Sequence, residues 1–385
     1  MFRRALSMAV AATALAACHT MDTPSSTEPT SAAAFDRSGG ANIGVVFTET
    51  NAASGNEIAV FSRSVNGALT AAGSYAAGGT GTGAGLGSQG AVTLTDNGRL
   101  LLAVNAGSNS VSVFSVDGTS LTLINTVASG GTRPISVTVD KKLAYVVNAG
   151  GAGNIAGFRL DRSSGLSSIA GSSRPLSAYA PAPAQISFSP EGDQLIVSEK
   201  GTNRLVTYAV SEQGLASAPR VTPSAGQTPF GFAFAHDDVL IVTEAFGGAA
   251  NASAASSYSV KEHGAAPLAV VSASVPTTET AACWAAVTPN GRWVYVTNTG
   301  SSTVTGYDVS PDGRLRILNS DGRTGDTGAG SSPLDEAITQ EGRFLYVLNR
   351  GTNNVVGFAI QNDGSLQSLG AGTSLPAGSI GLAAR

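Results

Sequence analysis

Two carboxylates stand where chemistry is possible. Glu199 and Glu244 end the apolar runs Val197-Ser198-Glu199 and Val242-Thr243-Glu244. A carboxylate at such a place can activate water as a general base. Arg133 opens a neighbouring run, where a guanidinium can hold a carboxylate ligand or stabilise an oxyanion. These three are the candidate catalytic set. Gln185, Trp284, Asp335 and Glu336 occupy the same opening slot in other runs, and Arg350 follows a run's end. They are the candidate substrate-binding groups, with Trp284 available for stacking and Asp335-Glu336 as an acid–base pair. A structural reading competes at each place: loop fixing for the run ends, channel filling for Trp284 and solvated rim charge for the acidic pair.

Other chemistries fit poorly. Cys283 needs an activating base to serve as a nucleophile, and no His shares its slot, so it reads as a buried structural thiol. The three histidines, His19, His236 and His263, fall in a tether and in turns on the far face. That argues against a His-based hydrolase or a His-ligated zinc; no metal and no cofactor is expected. Residues 79–85 and 325–330 are glycine-rich, but neither opens a helix with a Lys, so they read as loops rather than phosphate cradles. The net charge is −4 with no basic run, which excludes a nucleic-acid footprint. Nothing indicates an oligomer.

The elements that position these residues repeat. An apolar strand ending in Asn or Glu occurs seven times, closing at Glu49, Asn105, Asn148, Glu199, Glu244, Asn298 and Asn349, 43–56 residues apart. That is the period of a four-stranded propeller blade. A tight turn precedes the strand, as in Ser189-Pro190-Glu191-Gly192 and Thr288-Pro289-Asn290-Gly291. Pro fixes φ at such turns and Gly accepts positive φ. A second turn follows, as at Asn66-Gly67, Gln213-Gly214 and Asp363-Gly364. Helical periodicity is absent. The first copy begins at its second strand, and the tail from Pro376 to Leu382 reads as the missing inner strand. The fold class is therefore all-β: a seven-bladed β-propeller of four-stranded antiparallel blades, closed by strands from both termini. Closure removes open sheet edges.

Residues 1–18 read as a lipoprotein signal peptide. Arg3 and Arg4 precede a short apolar stretch, and Leu15-Ala16-Ala17-Cys18 forms a lipobox with Cys18 as the lipidation site. The stretch is shorter than the ~20 residues that span a bilayer. Residues 19–40 read as a flexible tether, and residues 41–385 as the propeller. The expected location is a bacterial outer membrane, reached through the lipid anchor alone; a secreted or periplasmic soluble protein is the alternative.

The strand–turn units Phe188-Ser189-Pro190-Glu191-Gly192, Tyr295-Val296-Thr297-Asn298 and Gly342-Arg343-Phe344-Leu345-Tyr346-Val347 resemble those of the propeller lactonases. That family includes propeller-type 6-phosphogluconolactonase and carboxy-cis,cis-muconate cyclase. The resemblance covers residues 41–385. It implies opening or closing of a lactone near the channel mouth, by a Glu with Arg and His neighbours and no cofactor. Glu199 matches the family Glu. Where the family has Gly-Pro-Arg-His, this chain has Ala182, Pro183, Ala184 and Gln185. The expected function is a cell-envelope lactonase acting on a sugar-acid or carboxymuconate-type lactone, or forming one. The alternative is a non-catalytic surface propeller that binds a protein or glycan.

Overall fold

A computed structural model describes residues 42–236, 238–260 and 267–385. The signal segment with Cys18, the tether with His19, and His263 lie outside them. Seven antiparallel sheets surround a central axis. The inner strands are Ile380–Ala384, Val92–Leu94, Pro134–Asp140, Pro183–Phe188, Pro229–His236, Ala282–Val287 and Pro333–Ile338, for blades 1 to 7 in that order. In blades 3, 6 and 7 the outer edge is split into two short pieces that pair with the same third strand.

The second strands explain why the repeat is so legible. Leu100–Asn105, Gln194–Glu199, Val239–Glu244, Trp293–Asn298 and Phe344–Asn349 are buried at every residue. Each is covered on both faces by neighbouring blades, so it reads as a continuous apolar run rather than an alternation. Tyrosines on these strands tie successive blades together. The hydroxyls of Tyr145, Tyr295 and Tyr346 donate to the carbonyls of Gly214, Gly364 and Gly67, at 2.7, 2.9 and 2.6 Å. Gly214 and Gly364 sit at φ +74° and +84° in the turns they close. A Cβ at Gly214 would also press on the Leu143 side chain.

The ring closes as the two termini require. Strand Asn42–Glu49 pairs with Ile380–Ala384, in register Val46 to Ala384 and Phe47 to Ala383. The Thr48 hydroxyl donates to the Ile380 carbonyl at 3.0 Å. Tyr346 completes the circle from blade 7 to blade 1.

One irregularity recurs and bears on function. The pairing of the inner strand slips near its start in five blades, between Pro134 and Ser136, Pro183 and Gln185, Pro229 and Phe232, Ala282 and Trp284, and Pro333 and Glu336. A bulge breaks the strict alternation of side chains. Successive residues can then turn toward the same space.

Candidate functional site in the axial channel

The linker from the outer strand of blade 1 (Leu69–Ala76) to the inner strand of blade 2 does not stay at the rim. It crosses the channel as a brace. The Ser88 hydroxyl donates to the Ile135 carbonyl at 2.8 Å, and the Gln89 amide to the Ala184 carbonyl at 3.0 Å. From the far side of the ring, Trp284 Nε1 donates to the Ser88 carbonyl at 2.9 Å. The Gln89 side chain pairs with both backbone groups of Ala285, at 2.7 and 3.2 Å. Lys200 Nζ donates to the Gly87 carbonyl and lies 4.4 Å from the Phe230 ring centroid. Burial first, then the nearby Arg133 charge, lowers the Lys200 ammonium to about 7. The glycine-rich linker thus offers carbonyls to the channel.

The brace divides the channel unequally. On the side of the second-strand ends lies a space of about 10 Å³ beside Trp284, Asp335 and Arg350, too small for more than a water. A Cβ on Gly85 would collide with the Arg350 guanidinium. On the other side lies a cavity of about 340 Å³, lined by the later parts of the inner strands. Open volume is therefore at the end opposite the mouth that the recurring slots point to.

Asp335 and Glu336 both line this cavity. Each residue is only 3% exposed, so the pair is buried and is not a solvated rim charge. Neighbours on one inner strand share this space because the strand edge faces the axis; consecutive Val92, Thr93 and Leu94 of a regularly paired strand do the same. The Asp335 carboxylate accepts the amides of Glu336 at 2.9 Å and Leu382 at 3.2 Å. Burial nevertheless raises it to about 7, those amides offsetting part of the rise. Neither Glu336 oxygen has a hydrogen-bond partner. Its carboxyl is pushed well above the usual range, by burial first and by the Asp335 charge second; the Ala286 amide opposes this without forming a hydrogen bond of normal geometry. Glu49 is likewise buried and raised by burial, with the Asp335 charge adding to it. Asn56 Nδ2 donates to Glu49 Oε2 at 3.1 Å, and Oε1 has no partner.

The catalytic candidates are placed differently. Glu199 Oε1 accepts the Ser177 amide at 2.8 Å, and Oε2 accepts the hydroxyls of Ser177 and of Thr202, the latter at 2.6 Å. Glu244 Oε1 accepts the Gly226 amide at 2.8 Å and the Ser256 hydroxyl at 2.5 Å; Oε2 accepts the Ser274 hydroxyl at 2.7 Å. Both glutamates pin the incoming linker of their blade, as Asn148 does through Ser129. They serve separate linkers and line neither axial space. Arg133 is half-buried at φ +55° and donates its amide to Asn109 Oδ1 at 2.7 Å. Gln185 lines the 340 Å³ cavity, but its amide is committed to both backbone groups of Phe232, at 3.0 and 2.7 Å. Trp284 fills the channel against Phe230, with ring centroids 4.9 Å apart. Cys283 is fully buried beside it. His236 ends the inner strand of blade 5.

Lys200 and the brace were not singled out from the sequence, yet a signal existed. The residue after each second strand is Thr50, Ala106, Ala149, Lys200, Ala245, Thr299 or Arg350. Two cations in a slot otherwise held by Ala and Thr mark the positions that face the brace.

Family comparison agrees with this architecture. The model of the seven-bladed β-propeller lactonases matches residues 52–178, 169–277 and 257–376. The chain belongs to this family. Membership supports a lactonase-type function. Among solved structures, a proposed 6-phosphogluconolactonase of Bacteroides fragilis is 18% identical with a TM-score of 0.69, covering 91% of this chain and 100% of its own. The periplasmic gluconolactonase of Pseudomonas aeruginosa is 17% identical with a TM-score of 0.67, covering 88% and 97%. A Lactobacillus plantarum protein is 18% identical with a TM-score of 0.70, covering 89% and 99%. At these identities the likeness is one of fold. No curated protein matches the sequence. Among the described residues, no group of three or more His, Cys, Asp or Glu side chains could hold a metal ion. Among them also, no helix is long and apolar enough to cross a membrane.

Proposed function

We propose that this propeller lactonase hydrolyses a lactone in the 340 Å³ axial cavity, with Asp335 and Glu336 as its acid–base pair. The carrying observation is the unpartnered, buried Glu336 carboxyl beside an Asp335 carboxyl that two amides stabilise in its charged form. Neighbouring acids whose environments separate their affinities for protons divide the two roles. Asp335 ionises first and takes a proton from water as the water oxygen attacks the lactone carbonyl carbon. Glu336, its side chain turned from the wall into the cavity, keeps its proton and gives it to the ring oxygen as the acyl C–O bond breaks. The product is the open hydroxy acid, and Asp335 returns its proton to restore the pair.

Large apolar side chains exposed among the described residues are Val65, Leu123, Tyr179, Val221 and Val270. They fall at five separate places in the chain. The test is ring opening of a lactone panel by the mature chain. Asp335→Asn and Glu336→Gln should each lower kcat by about 10²-fold or more while the protein stays folded. Full activity in both variants would sink the assignment.

The N-terminal segment supports a location as well. We propose export and anchoring through a lipid on Cys18, on the strength of Arg3, Arg4 and the Leu15-Ala16-Ala17-Cys18 lipobox. Mass spectrometry of the N-terminal peptide should find a diacylglyceryl Cys18. A Cys18→Ser chain recovered in the same membrane fraction would count against it.

A further inference from the structure

The charge of the axial cavity carries a statement about what enters it. We infer that the site takes an uncharged, polyhydroxylated lactone and rejects lactones that carry phosphate or carboxylate. This rests on the reading of the axial cavity as the hydrolytic site.

Among the described residues no Lys, Arg or His lines the 340 Å³ cavity, and the two ionisable side chains that do are Asp335 and Glu336. Nearby cations are turned to other partners: Arg385, next to the lining Ala384, donates to the Gly98 carbonyl at 2.8 Å. Lys200 is spent on the Gly87 carbonyl and the Phe230 ring, and Arg350 lines the 10 Å³ space beyond the brace. A buried phosphate or carboxylate needs charge-assisted donors, and without them its desolvation is not offset. The neutral amides cannot turn to supply such donors. Gln89 is fixed to Ala285 and Gln185 to Phe232, each by a donor and an acceptor at once. An anion would also raise the proton affinity of Asp335 and remove the base.

The same lining suits hydroxyl groups. A protonated Glu336 carboxyl both donates and accepts; its two unpartnered oxygens are buried in the wall and meet a ligand hydroxyl only when the side chain turns into the cavity. Thr93 and Thr138 line the wall as well, and each hydroxyl there has bonding capacity left. Thr93 donates to the Val137 carbonyl at 2.8 Å, and Thr138 accepts the Phe188 amide at 3.0 Å. A volume of about 340 Å³ suits one small ring compound.

The experiment has two arms on the full mature chain. In the first, kcat/KM is measured for glucono-1,5-lactone and for its 6-phosphate. We expect the neutral lactone to be favoured about 100-fold or more; equal or reversed preference overturns the inference. In the second, calorimetry compares binding of the neutral gluconolactam and its 6-phosphate. Should neither lactone be hydrolysed, the hydrolytic reading fails, while binding still reads the preference. Tighter binding of the phosphorylated lactam, or no binding of the neutral one, overturns the inference by itself. Ala286→Lys places a cation on the cavity wall and should narrow the ratio about tenfold. An unchanged ratio in that variant would show that wall charge does not set the preference.

Discussion

The Asp335 carboxylate accepts the amide of Glu336 at 2.9 Å, while the Glu336 carboxyl beside it has no hydrogen-bond partner. One strand thus holds an acid stabilised in its charged form next to one favoured in its neutral form. Both residues border the axial cavity, as consecutive residues of the regularly paired strand Val92–Leu94 also do.

Activity should depend on the ionisation of Asp335. With that carboxyl raised to about 7, kcat/KM should rise as pH passes through about 7. It should then fall at higher pH, as Glu336 loses the proton it donates. A pH–rate profile flat from 5 to 9 (on the scale of pH) would exclude this assignment of roles.

Stability should move in the opposite direction. The folded chain holds the Asp335 proton from the ordinary value of 3.8 up to about 7, whereas the unfolded chain has released it. Stability therefore falls as pH rises across that window and levels off above it. Asp335→Asn removes this loss. An Asn amide cannot accept both the Glu336 and the Leu382 amides, which costs about 1–3 kcal/mol at every pH; against that constant, the variant should gain roughly 2–4 kcal/mol on the parent between pH 4 and pH 8. Urea unfolding at both pH values measures the difference, and parallel curves would contradict it.

Lys200 predicts the reverse dependence on the alkaline side. Its folded value of about 7 lies below the ordinary 10.5, so the unfolded chain binds more protons between those values. Stability from this group rises with pH across that window. Lys200→Met keeps the stem against Phe230 but does not titrate. The alkaline rise should shrink in that variant, as read by chemical unfolding from pH 7 to 10.5. A rise of the same size would assign it to other groups.

Glu244 should matter for stability more than for turnover. Glu244→Gln keeps the shape but cannot accept every donor now served, and the Gly226 amide cannot reverse its direction. The expected loss is about 1–3 kcal/mol, with kcat within about threefold of the parent. A folded Glu199→Gln, Glu244→Gln double variant without lactonase activity would return these residues to the catalytic set.

Ring closure offers a further check. Tyr346→Phe leaves the Gly67 carbonyl without its 2.6 Å partner across the junction of blades 7 and 1. A loss of about 1–2 kcal/mol in unfolding free energy is expected. An unchanged value would show that side-chain packing between the two blades carries the junction without this bond.

The sequence by itself determined the blades. Runs such as Leu195-Ile196-Val197 and Val294-Tyr295-Val296 are buried on both faces, and turns such as Gln213-Gly214 need positive φ. Those demands are local, so composition and spacing reveal them. The tail's role in closure was legible for the same reason, because an unpaired edge is costly. Tertiary structure alone decided the site. Glu199 and Glu244 look available in a strand-end pattern, but Ser177, Gly226 and Ser274 come from other strands and linkers to saturate them. The linker around Ser88 and Gln89 reads as rim, yet it crosses the axis to Ile135, Ala184 and Ala285. Asp335 and Glu336 are legible in the sequence as an acidic pair at the start of an inner strand. Their setting is not, since burial and the partners of a carboxyl depend on contacts between blades, and no local pattern records those contacts.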